Sequence, residues 1–116
     1  MSPVTGSMRP QWFHILLALA EGDLHGSAIM EEVFERTDGA MKLWPGTLYG
    51  ALQAMCDVGV IAEIDPPEGA PRDRGKRRFY AITSQGRDDL AVEVARLADI
   101  VRVAQSRNVA DLREPA

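Results

Sequence analysis

The stretch Pro45-Gly46-Thr47-Leu48-Tyr49-Gly50-Ala51-Leu52-Gln53-Ala54-Met55 decides how this chain is read. Proline opens a helix well, because the N–H it lacks has no partner in the first turn anyway. Leu48, Leu52 and Met55 then fall on one face at helical spacing. Thr47, Tyr49, Gly50, Gln53 and Ala54 lie wholly or partly on the other. Gly59 stops the helix.

Working outward from this helix, a short strand is expected over Val60–Ile64 and a second over Arg78–Ile82. Between them runs a loop, Asp65 to Arg77, punctuated by Pro66, Pro67, Gly69, Pro71 and Gly75. Upstream, helical spacing begins at Gln11. Phe13, Leu16, Leu17 and Ala20 share one face, and Trp12, Ile15 and Leu19 share a second. Such a helix either packs its second face on a partner subunit or sits at the centre of its own core. A further helix follows Leu24-His25-Gly26-Ser27. Ala28, Ile29, Val33 and Phe34 are its inward candidates, Glu31, Glu32, Glu35 and Arg36 its wet ones, and Asp38-Gly39 ends it. Thr83 is a good N-cap for a last helix. In it Leu90, Val94, Leu97, Val101 and Ala104 recur at spacings of four and three, a heptad seam about two repeats long. Residues 1–8 read as disordered and 111–116 as a frayed tail.

Helix, strand, basic loop, strand is the order of a winged helix-turn-helix. The expected fold is therefore mainly α, an α+β domain with a two-stranded wing over residues 9–82 and a dimerisation helix over 83–110.

Composition limits the alternatives. The chain has 116 residues, 46% of them hydrophobic, which suits one globular domain. Its longest clean apolar run, Ile15 to Ala20, is far short of the roughly 20 residues that span a bilayer. No signal peptide is recognisable near Met1, so a cytoplasmic protein without membrane partners is expected. One cysteine, Cys56, excludes an internal disulfide and offers no zinc site. It reads as a buried inert thiol, with a redox disulfide between subunits as the alternative. His14 and His25 lack partners at metal-ligand spacing and read as packing or capping residues. No nucleophile–base pair, clustered carboxylates or glycine-rich phosphate loop is present, so neither an enzyme nor a cofactor is expected.

The net charge of −4 argues at first against a polyanionic partner. Its distribution argues for one. Arg72 to Arg78 holds five basic residues and one acid, a local +4, leaving −8 on the other residues. A basic cluster between two strands suits a contact made by a wing on DNA.

Five segments carry a family resemblance: Ile15-Leu16-Leu17-Ala18-Leu19, Leu24-His25-Gly26, Pro45-Gly46-Thr47-Leu48-Tyr49 with Leu52, Gly59-Val60-Ile61, and Arg77-Arg78-Phe79-Tyr80 with Ile82-Thr83 and Gly86. In this order they resemble the PadR family of winged-helix transcriptional regulators, over about Arg9 to Val109. The single C-terminal helix resembles its short subfamily. The resemblance implies a homodimer built by the first and last helices, usually a repressor, sometimes binding an aromatic or drug-like effector between subunits. Ser27 stands where members often carry tyrosine. Gln53-Ala54 stands where many carry lysine or arginine, and no basic residue lies between Lys42 and the wing loop.

The residues assigned to double-stranded DNA, a pseudo-palindromic operator, are therefore Thr47, Tyr49 and Gln53 on the third helix and Arg74, Lys76 and Arg77 on the wing. Glutamine can pair with adenine, and threonine with a phosphate or a thymine methyl. The assigned dimer interface is Trp12, Ile15, Leu19, Leu90, Val94, Leu97 and Val101, and Trp12 is also the candidate effector-pocket residue. Arg78 is left to the strand, and Trp44 reads as a core or hinge anchor. The competing reading is a winged-helix interaction module that has lost DNA binding, motivated by the acidic total and the uncharged third helix.

Overall fold

A computed structural model describes residues 8–66, 68 and 78–109. The expected disordered start, the frayed tail and most of the wing loop, including Arg74, Lys76 and Arg77, lie outside the described residues. The element order is α1 (Pro10–Glu21), β1 (Leu24–His25), α2 (Gly26–Arg36), α3 (Pro45–Asp57), β2 (Ile61–Ile64), β3 (Phe79–Ile82) and α4 (Ser84–Ser106). The sheet is antiparallel in the order β1-β3-β2. Its first strand, only two residues long, is an addition to the two-stranded wing expected from sequence. Leu24 pairs with Tyr80 and His25 with Phe79. Two residues carry no readable alternation, so only the tertiary pairing reveals this strand.

Local chemistry sets the element ends. The Ala28 N–H donates to His25 Nδ1 at 3.3 Å, so His25 caps α2. At its other end the Thr37 hydroxyl donates to the Val33 carbonyl and accepts from the Met41 N–H, while Asp38 and Gly39 turn left-handed at φ 53° and 79°. The close of α3 is a Schellman arrangement. Gly59, at φ 87°, donates to the Cys56 carbonyl, and Val60 donates to that of Met55.

That turn is tied directly to the start of α4. The Thr83 hydroxyl donates to the Gly59 carbonyl at 2.6 Å and accepts from the Gly86 N–H at 3.0 Å, and the Thr83 N–H donates to the Val60 carbonyl at 3.1 Å. Gly86 lets the two backbones approach. A Cβ there would stand 2.9 Å from Ile82 Cγ1 and 3.1 Å from the Val60 carbonyl carbon, and closer still to its oxygen.

Ile15, Leu16 and Leu19 of α1, Ile29 and Val33 of α2, and Leu48, Leu52 and Met55 of α3 form the core with Val60, Ile61, Tyr80 and Leu90. Helix α1 contacts α2, α3, α4 and β3, which explains its two apolar faces: it is the central helix. Ile15 and Leu19, assigned to a subunit interface, are closed inside the chain's own core. Leu90 joins them there. The heptad stripe therefore changes role along α4, serving this chain's core first and lying open beyond it. Val94, Ile100, Val101 and Val103 are all exposed, and Leu97 is half-buried. Phe34, an inward candidate, is exposed as well.

Candidate nucleic-acid interface

Helix α3 is anchored from behind by Leu48, Leu52 and Met55, each almost fully buried. Its opposite face presents Thr47, Tyr49, Gly50 and Gln53 to solvent. Gln53 Nε2 donates to Asp57 Oδ1 at 3.0 Å, a bond one turn along the same exposed surface that water or a ligand group can replace cheaply. The Tyr49 ring lies against α2. A Cβ on Gly26 would fall 2.7 Å from Tyr49 Cζ and 2.9 Å from Cε1, so a side chain at the first position of α2 would displace the ring. Gly26 thus sets where the Tyr49 hydroxyl is held.

Trp44 departs from its expected role. It is 60% exposed, on the extended N-cap residue (φ −88°, ψ 151°) just before Pro45 starts the helix. The Lys42 ammonium stands 4.4 Å from its ring centroid, a cation–π pair beside the N-terminus of α3. The sequence signal was present in the Lys42–Trp44 spacing, but which way tryptophan points is a tertiary property. Leu43, between them, is the buried anchor instead.

Between α3 and the wing strands lies a groove of about 330 Å³, open to solvent and lined by Tyr49, Gln53, Cys56, Glu63, Arg78 and Tyr80 among others. Strand register builds its far wall. Glu63 pairs with Tyr80 across β2 and β3, and Arg78 lies two residues before Tyr80, so all three share one face. Arg78 Nε is 3.7 Å from Glu63 Oε2. Burial, then the nearby Glu63 carboxylate, raises the Tyr80 phenol above its ordinary range. Burial, then Glu63 and Asp57, likewise pushes the Cys56 thiol up, which disfavours its reactive thiolate.

Of the assigned interface residues, Trp12 packs half-buried at the margin of the core, and Val94 and Val101 are exposed. At the α1–α4 junction Glu93 is 6% exposed. It accepts from Arg96 Nε at 3.0 Å and Nη2 at 2.6 Å, and from the Met8 N–H at 3.4 Å. Arg96 holds the Glu93 carboxyl below its usual range. His14 Nδ1 faces Arg36 Nη1 at 2.9 Å. Burial, followed by that guanidinium, holds its imidazole below the ordinary histidine range.

Two helices meeting over a shared core, the second exposed along one face and followed by an antiparallel hairpin, define a winged helix-turn-helix protein. Its likeness to solved structures agrees. A PadR-like transcriptional regulator from Bacillus cereus superposes with a TM-score of 0.70 over 87% of this chain and 93% of that one, at 16% identity. A PadR-family transcription regulator from Clostridium difficile matches at 28% identity and a TM-score of 0.65, over 82% of this chain and 96% of that one. A winged-helix DNA-binding protein, F93 from STIV, gives a TM-score of 0.66 at 19% identity, over 83% and 96%. Among curated proteins, uncharacterized protein X of Lysinibacillus sphaericus is 32% identical over 77% of this chain and 79% of its own length. An uncharacterized 37.1 kDa protein in a transposon of Streptomyces fradiae is 33% identical over 72% of this chain, which spans 22% of that protein. The model of the transcriptional regulator PadR-like family matches residues 15–92, and the chain belongs to that family. The family is one of transcriptional regulators rather than enzymes.

Proposed function

We propose that this chain is a homodimeric, sequence-specific DNA-binding repressor, acting in the cytoplasm and answering to a small aromatic or drug-like effector. The observation that carries the DNA reading is the division of α3 into a fully anchored inner face and an open face bearing Thr47, Tyr49 and Gln53. Such a helix fits the major groove, with its first turns toward base edges. Arg74, Lys76 and Arg77 are assigned to phosphates or the minor groove, which raise affinity more than sequence choice. Residues 9–82 form the DNA-binding unit of this proposal and 83–110 its dimerisation helix.

Support for the dimer comes from α4. Val94 and Val101, one heptad apart, are exposed on a helix whose earlier apolar residue, Leu90, is buried, and Ile100 beside Val101 is exposed as well. Exposed apolar residues repeating along one helix are the pattern a second copy covers. A two-fold dimer places its recognition helices about 34 Å apart, or a multiple of it, on DNA. An effector acts by favouring one spacing over another.

The test is a fluorescence-anisotropy titration of the purified protein with the duplex upstream of its own gene, at two salt concentrations. Saturable binding that survives competitor DNA and weakens with salt supports the regulator. Weak, sequence-blind binding favours the interaction module, which the net charge of −4 and the lack of a basic residue on α3 also favour.

A further inference from the structure

The groove between α3 and the wing strands holds a charge pair that the assigned DNA contacts do not use. We propose that Arg78 contacts a DNA phosphate at the mouth of this groove, and that Glu63 is its internal competitor, holding the guanidinium in the free protein and lowering affinity for DNA. This rests on the DNA-binding reading and adds a phosphate contact and a device that tunes it.

Arg78 and Glu63 stand on the sheet face that looks across the groove at Tyr49 and Gln53, the exposed side chains of α3. A duplex seated on α3 therefore brings its backbone past this wall. Arginine is the side chain best suited to a phosphate there, since its planar fork can donate two parallel hydrogen bonds. Tyr80, two residues on and on the same face, is 3% exposed, so Arg78 leads into a strand that is fixed in the core.

The Arg78 and Glu63 side chains are 63% and 50% exposed, and their closest approach, 3.7 Å, is too long for a hydrogen bond. Exposed pairs of this kind are weak and screened by salt. A phosphate can therefore displace the carboxylate. Glu63 then remains as a negative charge close to the phosphate, so its presence opposes binding twice: it occupies Arg78 beforehand and repels the backbone afterwards.

The experiment compares wild type, Arg78→Ala, Glu63→Gln and the double variant by anisotropy. Two labelled duplexes serve as probes: the DNA upstream of its own gene and a random sequence of equal length, each across a salt series. Arg78→Ala should weaken binding to both and make the slope of log K against log salt shallower by about 0.9 per chain bound. Glu63→Gln should tighten binding to both by roughly threefold at low salt, a gain the size of an exposed ion pair. In the Arg78→Ala background that gain should shrink to little or nothing. Binding by wild type with an unchanged slope in Arg78→Ala overturns this proposal alone. A Glu63→Gln gain that survives intact without Arg78 overturns the competition between them. If wild type binds neither duplex in a salt-dependent way, the DNA reading fails and this proposal with it.

Discussion

Replacing Gly86 by alanine should destabilise the protein, although the same exchange in most helices helps. Gly86 lies in the first turn of α4, where its N–H is capped by Thr83. A methyl group there meets Ile82 Cγ1 at 2.9 Å and drives into the Val60 carbonyl, which is backbone held by the Thr83 N–H and cannot rotate away. Relief requires α4 to lift from the end of α3, and crowding of this kind costs about 1–3 kcal/mol. Losing the 3.1 Å bond from Thr83 to Val60 adds roughly 1 kcal/mol. Alanine's better helix propensity returns up to about 1 kcal/mol. The net is a loss of about 1–4 kcal/mol, which lowers Tm by about 4–8 °C per kcal/mol in a domain near this size. Gly50→Ala is the matched control, because nothing lies within 4 Å of a Cβ at that exposed position inside α3. It should raise stability by up to about 1 kcal/mol. Thermal and urea unfolding, followed by circular dichroism at one protein concentration, reads both. A Gly86→Ala protein as stable as Gly50→Ala refutes the reasoning, since only the space around the two methyl groups separates them.

Gly26→Ala should displace the Tyr49 ring and weaken operator binding more than stability, because the clash is with a movable side chain; anisotropy and Tm together check this. Paired lysine-to-alanine and tryptophan tests address the α3 entrance: Lys42→Ala should make the salt slope shallower by up to about 0.9, and Trp44 emission, read in a Trp12→Phe background, should change on duplex binding. Ile100→Glu with Val101→Glu, both at exposed positions, should convert a dimer to monomer by light scattering while leaving the folded core intact. Acidification should act in two windows. Arginine offers no acceptor, so His14 Nδ1 must accept from Arg36; with the folded imidazole held below its ordinary value of about 6.5, stability is full above that value and is lost as pH falls below it through the folded value. Glu93, with its pKa lowered, contributes stability that is present above its unfolded value of about 4.3 and is lost as pH falls through the folded value. His14→Gln should flatten the first window in urea unfolding, and Glu93→Gln the second.

How much was legible depended on whether a residue's role is set by its neighbours in sequence. The helix of Pro45 to Asp57 announces itself by its opening proline, its apolar stripe and Gly59, and the Thr83 cap by its position before a long periodic segment. Strands β2 and β3 were visible within one residue of their ends. The glycine at position 86 was visible only as part of a motif. That it exists to admit the Val60 carbonyl is a contact between residues 26 apart in sequence.

Sequence by itself determined the type and order of the long elements, the anchored stripe of α3 and the chain's place among winged-helix regulators, because periodicity and capping are local properties of the backbone. It could not settle which of two apolar faces of α1 is covered by this same chain. Nor could it show that Leu90 closes the core while Val101 stays outside, that Trp44 turns outward over Lys42, or that Arg78 meets Glu63 beside Tyr80. Each of these depends on what another element brings into contact. Only the packing of α1 among α2, α3 and α4, and the register of β2 on β3, supplies that partner.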